Sequence, residues 1–284
     1  MKAGLCLALI MGITLAFMAC AKNAAPTAPN ATATPAAAFS HRALDELLHD
    51  YVDEQGRVDY AGLRQARARL DQYLATLGPA QPQTFATDQE RLAFWINSYN
   101  AFVVADVLDQ VYGKVKSVQD VKGFFDQKTH RIAGETLSLK EIETRGRALK
   151  DPRIHFAVNC ASLSCPKLQR AAYNGAQLDL QLTRAGREFL GDMTRGMNYD
   201  PGRNMVFLSP IFQWYAADFI TGQTTASEPE MLEAAKKFMP ADVSQFLTVK
   251  KMEAQWLKYN WALNAQEKAG DTEKAATPSP VTNP

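Results

Sequence analysis

Apolar positions recur at helical spacing along most of the chain and alternate in few places. Leu44, Leu47, Leu48 and Tyr51 form one stripe, which predicts a helix over residues 41–51. Asp53, Glu54, Gln55 and Gly56 then signal a turn, residues 58–60 read as a short extended piece, and Leu63, Leu70, Tyr73, Leu74 and Leu77 mark a second helical stretch that Gly78 and Pro79 stop. Thr87 and Glu90 have capping-box spacing and open a long helix running to about Gly113. Leu92, Trp95, Ile96, Tyr99 and Val103 cover one side of it, while Phe94, Ala101, Val104 and Leu108 cover another, so this helix is expected to be central and buried. A hairpin is expected over residues 129–135, and Ser138 with Glu141 repeats the capping-box spacing before a short helix that ends at Asp151 and Pro152. The apolar run at 153–160 reads as a buried strand, followed by a helix over 177–190, an extended piece at 205–208 and a helix through Ile211, Trp214, Tyr215 and Phe219. With strands few and helices many, the pattern predicts an α+β fold, helix-rich, around a small and mostly antiparallel sheet.

The two ends break this pattern. Met1 and Lys2 precede an apolar run from Leu5 to Met18, too short to span a bilayer with ease, then Ala19 and Cys20. The segment 15–20 resembles a bacterial lipobox, which implies that residues 1–19 are a lipoprotein-type signal peptide and Cys20 the lipidated mature N-terminus; the alternative is a plain signal peptide cut near Ala19 or Ala21. That arrangement implies an exported lipoprotein of a bacterial cell envelope, its partner the membrane through the lipid at Cys20. It would face the periplasm or the exterior, with Ala21 pointing to the outer membrane in a Gram-negative source. Residues 20–38 continue in Ala, Pro, Thr and Asn as a flexible tether, and 266–284 form a tail of the same character, leaving one globular domain at 39–265.

A formal net charge of +1 with acids and bases interspersed leaves no basic field for a phosphate backbone, so nucleic acid is not an expected partner. Of the four cysteines, Cys6 leaves with the signal and Cys20 takes the lipid, so Cys160 and Cys165 remain in the domain. Two thiols close in sequence in an oxidising compartment predict a disulfide, since the four intervening residues can turn.

Several uncommon residues fall in a specific order: Phe94, Trp95, Ile96, Asn97, Ser98, Tyr99, Asn100 and Ala101; then Gly123, Phe124, Phe125 and Asp126; then His155, Phe156 and Ala157, leading to Cys160, Ala161, Ser162, Leu163, Ser164, Cys165 and Pro166. With residues 208–215 and 256–264, this order and spacing resembles the domain-of-unknown-function 547 family over roughly residues 40 to 265. Where family members often read Tyr-Asp-Trp near the C-terminus, this chain has Tyr259, Asn260 and Trp261, so the resemblance supplies no carboxylate there. The family's name implies no activity.

The residues themselves carry two functional possibilities. Trp95, Asn97 and Asn100 lie within the apolar helix, and buried amides need partners, either a neighbouring loop or a bound group. His155, Asn159, Cys160, Ser162, Ser164 and Cys165 form the densest reactive cluster, although strand alternation would put His155 and Cys160 on opposite faces. Cys165 before Pro166 is a candidate helix N-cap, where the helix dipole lowers a thiol pKa. The leading expectation is a non-catalytic binding or scaffolding module stapled by a Cys160–Cys165 disulfide, with a protein or small-molecule partner that the sequence does not identify. The alternative is a papain- or transglutaminase-like thiol enzyme acting on amide or ester bonds, with His155 and either Cys165 or Cys160 as catalytic residues. One His and two Cys without close Cys-x2-Cys spacing predict no metal, and the lack of a phosphate loop, Gly-x-Ser-x-Gly or His-Glu-x-x-His predicts no cofactor.

Overall fold

The computed structural model describes residues 38–250 and 252–267. The expected signal segment, Cys20, the tether up to residue 37 and the tail from 268 lie outside the described residues.

Helix α1 (Arg42–Tyr51) buries Leu44, Leu47 and Leu48. The predicted second stretch is split into α2 (Tyr60–Gln65), which Asp59 caps through the Gly62 amide, and α3 (Arg67–Leu77). Helix α4 (Asp88–Asp106) opens with the predicted capping box, in which Glu90 N–H donates to Thr87 Oγ1 at 3.1 Å. Every residue from Leu92 to Asp106 is buried, as an all-round apolar helix requires, and one π-helical turn (Val107–Val111) finishes the run. Strands β1 (Thr129–Ile132) and β2 (Glu135–Ser138) make the predicted hairpin, and α5 (Leu139–Arg147) starts on the Ser138/Glu141 capping box. The buried faces of α5 are Leu139, Ile142 and Gly146; a Cβ at Gly146 would come within 2.6 Å of Ile154 Cδ1 and 3.3 Å of Trp95 Cβ, so glycine is what lets α5 lie close against α4.

The strand expected at 153–160 is not formed. Residues Pro152–Phe156 make a short 3-10 helix, begun by the Asp151 carboxylate on the Arg153 amide with Pro152 in its first turn, and irregular chain follows. The apolar run is buried as expected, but burial alone does not distinguish a strand from a helical turn. Asn100 supplies what a neighbouring strand would have given: its Nδ2 donates to Ala157 O at 3.0 Å and its Oδ1 accepts from Asn159 N–H at 2.8 Å.

Beyond this point α6 (Leu178–Gly191) leads to a three-stranded sheet in the order β3 (Met197–Asp200), β4 (Met205–Leu208), β5 (Glu253–Trp256), with β3–β4 antiparallel and β4–β5 parallel. The predicted helix through Ile211 is two short ones, α7 (Ile211–Trp214) and α8 (Ala216–Phe219), and α9 (Glu228–Ala235) and α10 (Ala241–Lys250) follow. The class is the predicted α+β, with its strands divided between two small sheets. Three apolar centres form among the described residues: one gathers α1, α3, α4 and the first hairpin, a second gathers α6, β4, α7, α8 and α9 around Phe156 and Phe212, and a smaller one packs Leu92 and Ile96 with Ile154, Tyr173 and Leu182. A segment after β5 returns to the first centre, bridging Ala265 to Val58 and Leu263 to Ser162.

Candidate functional site

Between the two larger centres lies a cavity of about 290 Å³. One wall is a polar stripe of α5: Lys140, Glu143, Thr144 and Arg147 are spaced at i, i+3, i+4 and i+7, so all four face the cavity. Much of the remaining lining is aromatic, with Tyr99 from α4, Trp214 and Tyr215 at the end of α7, and Tyr259 and Trp261 from the C-terminal segment. His155, Cys160 and Cys165 complete the lining.

His155 is almost wholly buried and stacks on the Tyr215 ring with centroids 3.9 Å apart. Its Nε2 lies 2.6 Å from Asp218 Oδ2, and Arg147 Nε donates to the same oxygen at 2.6 Å. Burial pushes the Asp218 carboxyl up, but the hydrogen bonds and charges of His155 and Arg147 outweigh it and hold the acid well below the usual carboxylate range. An ionised carboxylate can only accept, so Nε2 carries a proton and, in the neutral ring, Nδ1 carries the lone pair. That Nδ1 is buried and has no hydrogen-bond partner among the described residues.

The two cysteines are joined, with α-carbons 6.2 Å apart, so the predicted disulfide is present. Cys165 is buried and Cys160 half-buried. The Cys160 amide donates to Cys165 Sγ at 2.9 Å, and the Tyr259 hydroxyl lies 3.4 Å from each sulfur while accepting from Ser162 Oγ at 3.0 Å. Burial pushes the Tyr259 phenol up to about 12, which keeps it a donor near neutral pH. Burial comes first again in raising Tyr215, helped by the charge of Glu143 and a hydrogen bond to it.

Cys165 is not a helix N-cap. The chain after Pro166 stays irregular up to Asn174 because it is pinned in an extended course: Asn159 Nδ2 donates to Pro166 O at 2.7 Å, and Lys167 and Leu168 cross so close to Gly56 (φ +74°) that a Cβ there would meet them at 2.8 Å. The alternation that would separate His155 from Cys160 fails together with the strand, and both line one cavity. Trp95, Asn97 and Asn100 are elsewhere. Trp95 packs on Phe94, Asn97 closes a two-bond ring with the Tyr173 backbone at 2.8 and 2.9 Å, and Asn100 holds the 157–159 loop. Ser162 is hydrogen-bonded near the sulfurs, and Ser164 Oγ accepts from the Asn260 amide.

Sequence reasoning missed Asp218, Glu143, Arg147, Tyr215 and Tyr259. The α5 stripe was visible as helical spacing of polar residues; Asp218, 63 positions from His155, gave no local signal.

Fold and cavity together define an α+β domain that holds a carboxylate-oriented imidazole and a cystine in one aromatic-walled cavity. Residues 83–190 match the model of a family described as "Protein of unknown function, DUF547", which supports the resemblance for the segment carrying α4, α5, His155 and both cysteines. Asp218 and the aromatic wall after it lie beyond the matched segment. No curated protein and no solved structure compared with the chain matches it.

Proposed function

We propose that the domain is a thiol-dependent enzyme acting on amide or ester bonds, with Cys160 as nucleophile, His155 as its base and Asp218 as the carboxylate that orients the ring. The observation carrying this is the unpartnered Nδ1 of a buried His155 whose other nitrogen is tied to Asp218, in the wall of the cavity that both sulfurs line. A histidine buried for packing alone would have both nitrogens satisfied.

The cystine is the resting state of such a site. A dithiol reductant supplies two electrons and two protons, becoming a disulfide itself and leaving two thiols. Nδ1 then takes the Cys160 proton, the thiolate attacks the carbonyl carbon, and the imidazolium returns the proton to the departing nitrogen or oxygen. Water, deprotonated by the same nitrogen, releases the acyl group. Tyr259, which stays protonated, is the donor placed to hold the carbonyl oxygen. Cys160 is preferred to Cys165 because it is the more exposed of the two.

The exported setting belongs to the same proposal: a signal peptide at 1–19, a lipid on Cys20, and an envelope location facing the periplasm or exterior. A cystine supports it, since disulfides persist in oxidising compartments. One observation favours a second function, a non-catalytic binding or scaffolding module: the cysteines are joined and shielded, as a staple would be.

Alkylation kinetics of the reduced protein separate the two. Iodoacetamide should modify Cys160 at pH 6 at least about tenfold faster than a free thiol of pKa about 8.5. His155→Ala should abolish that advantage, and Asp218→Asn should reduce it severalfold in protein that remains folded. If both thiols titrate as free ones do and neither variant changes the rate, the cavity is a binding site without thiol chemistry.

A further inference from the structure

Glu143 is the one acidic side chain in the cavity lining, and its charge is only half accommodated. The Tyr215 phenol stands close enough to be raised by it, yet its Oε1 is shut off from solvent with no partner among the described residues. Among the described residues no cation forms an ion pair with this carboxylate, although its charge is felt by Arg147. Arg147 is engaged with Asp218 at 2.6 Å, and Lys140 is exposed at the end of the α5 stripe. Around the carboxylate stand Tyr99 and Tyr215, both of whose phenols its charge raises further after burial, with Trp214 beyond them in the same lining. A carboxylate left half-satisfied in a partly desolvated site costs free energy that a donor would recover, and a cationic donor recovers most. Aromatic faces add attraction for a cation and none for an anion.

We infer that the cavity recognises an alkylammonium group, with Glu143 as its counter-ion and the rings of Tyr99 and Trp214 as its apolar lining, the Tyr215 ring being already stacked on His155 and covered by the Arg147 guanidinium. As a statement about substrate this rests on the thiol-enzyme proposal and makes the preferred amide or ester one that carries a protonated amine near the bond attacked. A volume of about 290 Å³ accommodates a short amine-bearing side chain with room for the carbonyl group beside the sulfurs.

Binding is measured on the full chain with its disulfide intact, so no thiol chemistry enters and failure here would leave the alkylation result standing. The probes are n-butylammonium, n-butanol and butyrate, followed by titration calorimetry and by the indole N–H resonances of Trp214 and Trp261. Saturable n-butylammonium binding at least about tenfold tighter than either control is expected, with Glu143→Gln losing that preference. Equal binding of n-butanol, binding of none of the three, or full preference retained in the Glu143→Gln protein would each overturn the inference. Should the variant fail to fold, the ammonium-to-alcohol ratio in the unaltered protein decides alone.

Discussion

His41 sits at the start of α1 with its Nδ1 2.7 Å from the Tyr73 hydroxyl, close to the rings of Phe39 and Phe94. Burial pushes this imidazole down to about 4. The folded chain therefore refuses a proton that the unfolded chain takes up below about pH 6.5. Stability from this group is complete above that value and falls as the pH drops towards 4. The urea midpoint should be lower at pH 5 than at pH 7, and His41→Gln should remove most of the difference. Asp218 acts in the same direction but lower down: its depressed acid adds stability that is lost only as the pH falls below about 4, so the two groups separate on one pH series.

At the scale of elements, α4 works as a clamp as much as a core. Asn97 and Asn100 are one helical turn apart and hold two distant loops by their backbones, at Tyr173 and at Ala157 with Asn159. Replacing Asn100 with Ala would leave a buried amide and a buried carbonyl unpaired, at about 1 to 3 kcal/mol each. Thermal and urea unfolding of Asn100→Ala should show a loss of about 2 to 4 kcal/mol, because both hydrogen bonds are buried. A loss under about 1 kcal/mol would mean the 157–159 loop relaxes and finds other partners.

Elements also mark how far the sequence was legible. Capping-box pairs are local, so Thr87/Glu90 and Ser138/Glu141 were readable and are formed. The need of Asn97 and Asn100 for partners was readable too, since amides in an apolar helix must be satisfied, but which backbone they reach depends on the fold. The run at 153–160 misled because its apolar character reports burial, and a ladder needs a neighbouring strand that the sequence does not place. His155, Cys160 and Cys165 stood out by residue type. Their convergence depends on irregular chain between them, and the carboxylate on His155 comes from a helix four residues long.

Across the whole molecule the cavity is assembled from positions 99 to 261. Its last wall depends on the C-terminal segment: Tyr60 OH donates to Asn264 Oδ1 at 2.8 Å, Asn264 N–H donates to Ala161 O at 3.0 Å, and Asn264 Nδ2 reaches Asn159 Oδ1 at 3.2 Å. Asn264→Ala strips buried partners from Tyr60 and Asn159 and should lower stability by about 2 kcal/mol or more. A chain stopped after Lys258 should lose the cystine's Tyr259 contact and expose the reduced sulfurs to alkylation, as peptide mapping of modified cysteines would report.

The same segment sets an order in time. A polypeptide delivered N-terminus first brings His155 and both cysteines into place long before Asn264 follows, and pairing Asn264 with Tyr60 closes a separation of 204 residues. Until that closure the sulfurs lack their cover and the aromatic wall is incomplete. A chain still being made thus has its thiols most open to oxidation before Tyr259 covers them, and the aromatic lining of the cavity is completed last.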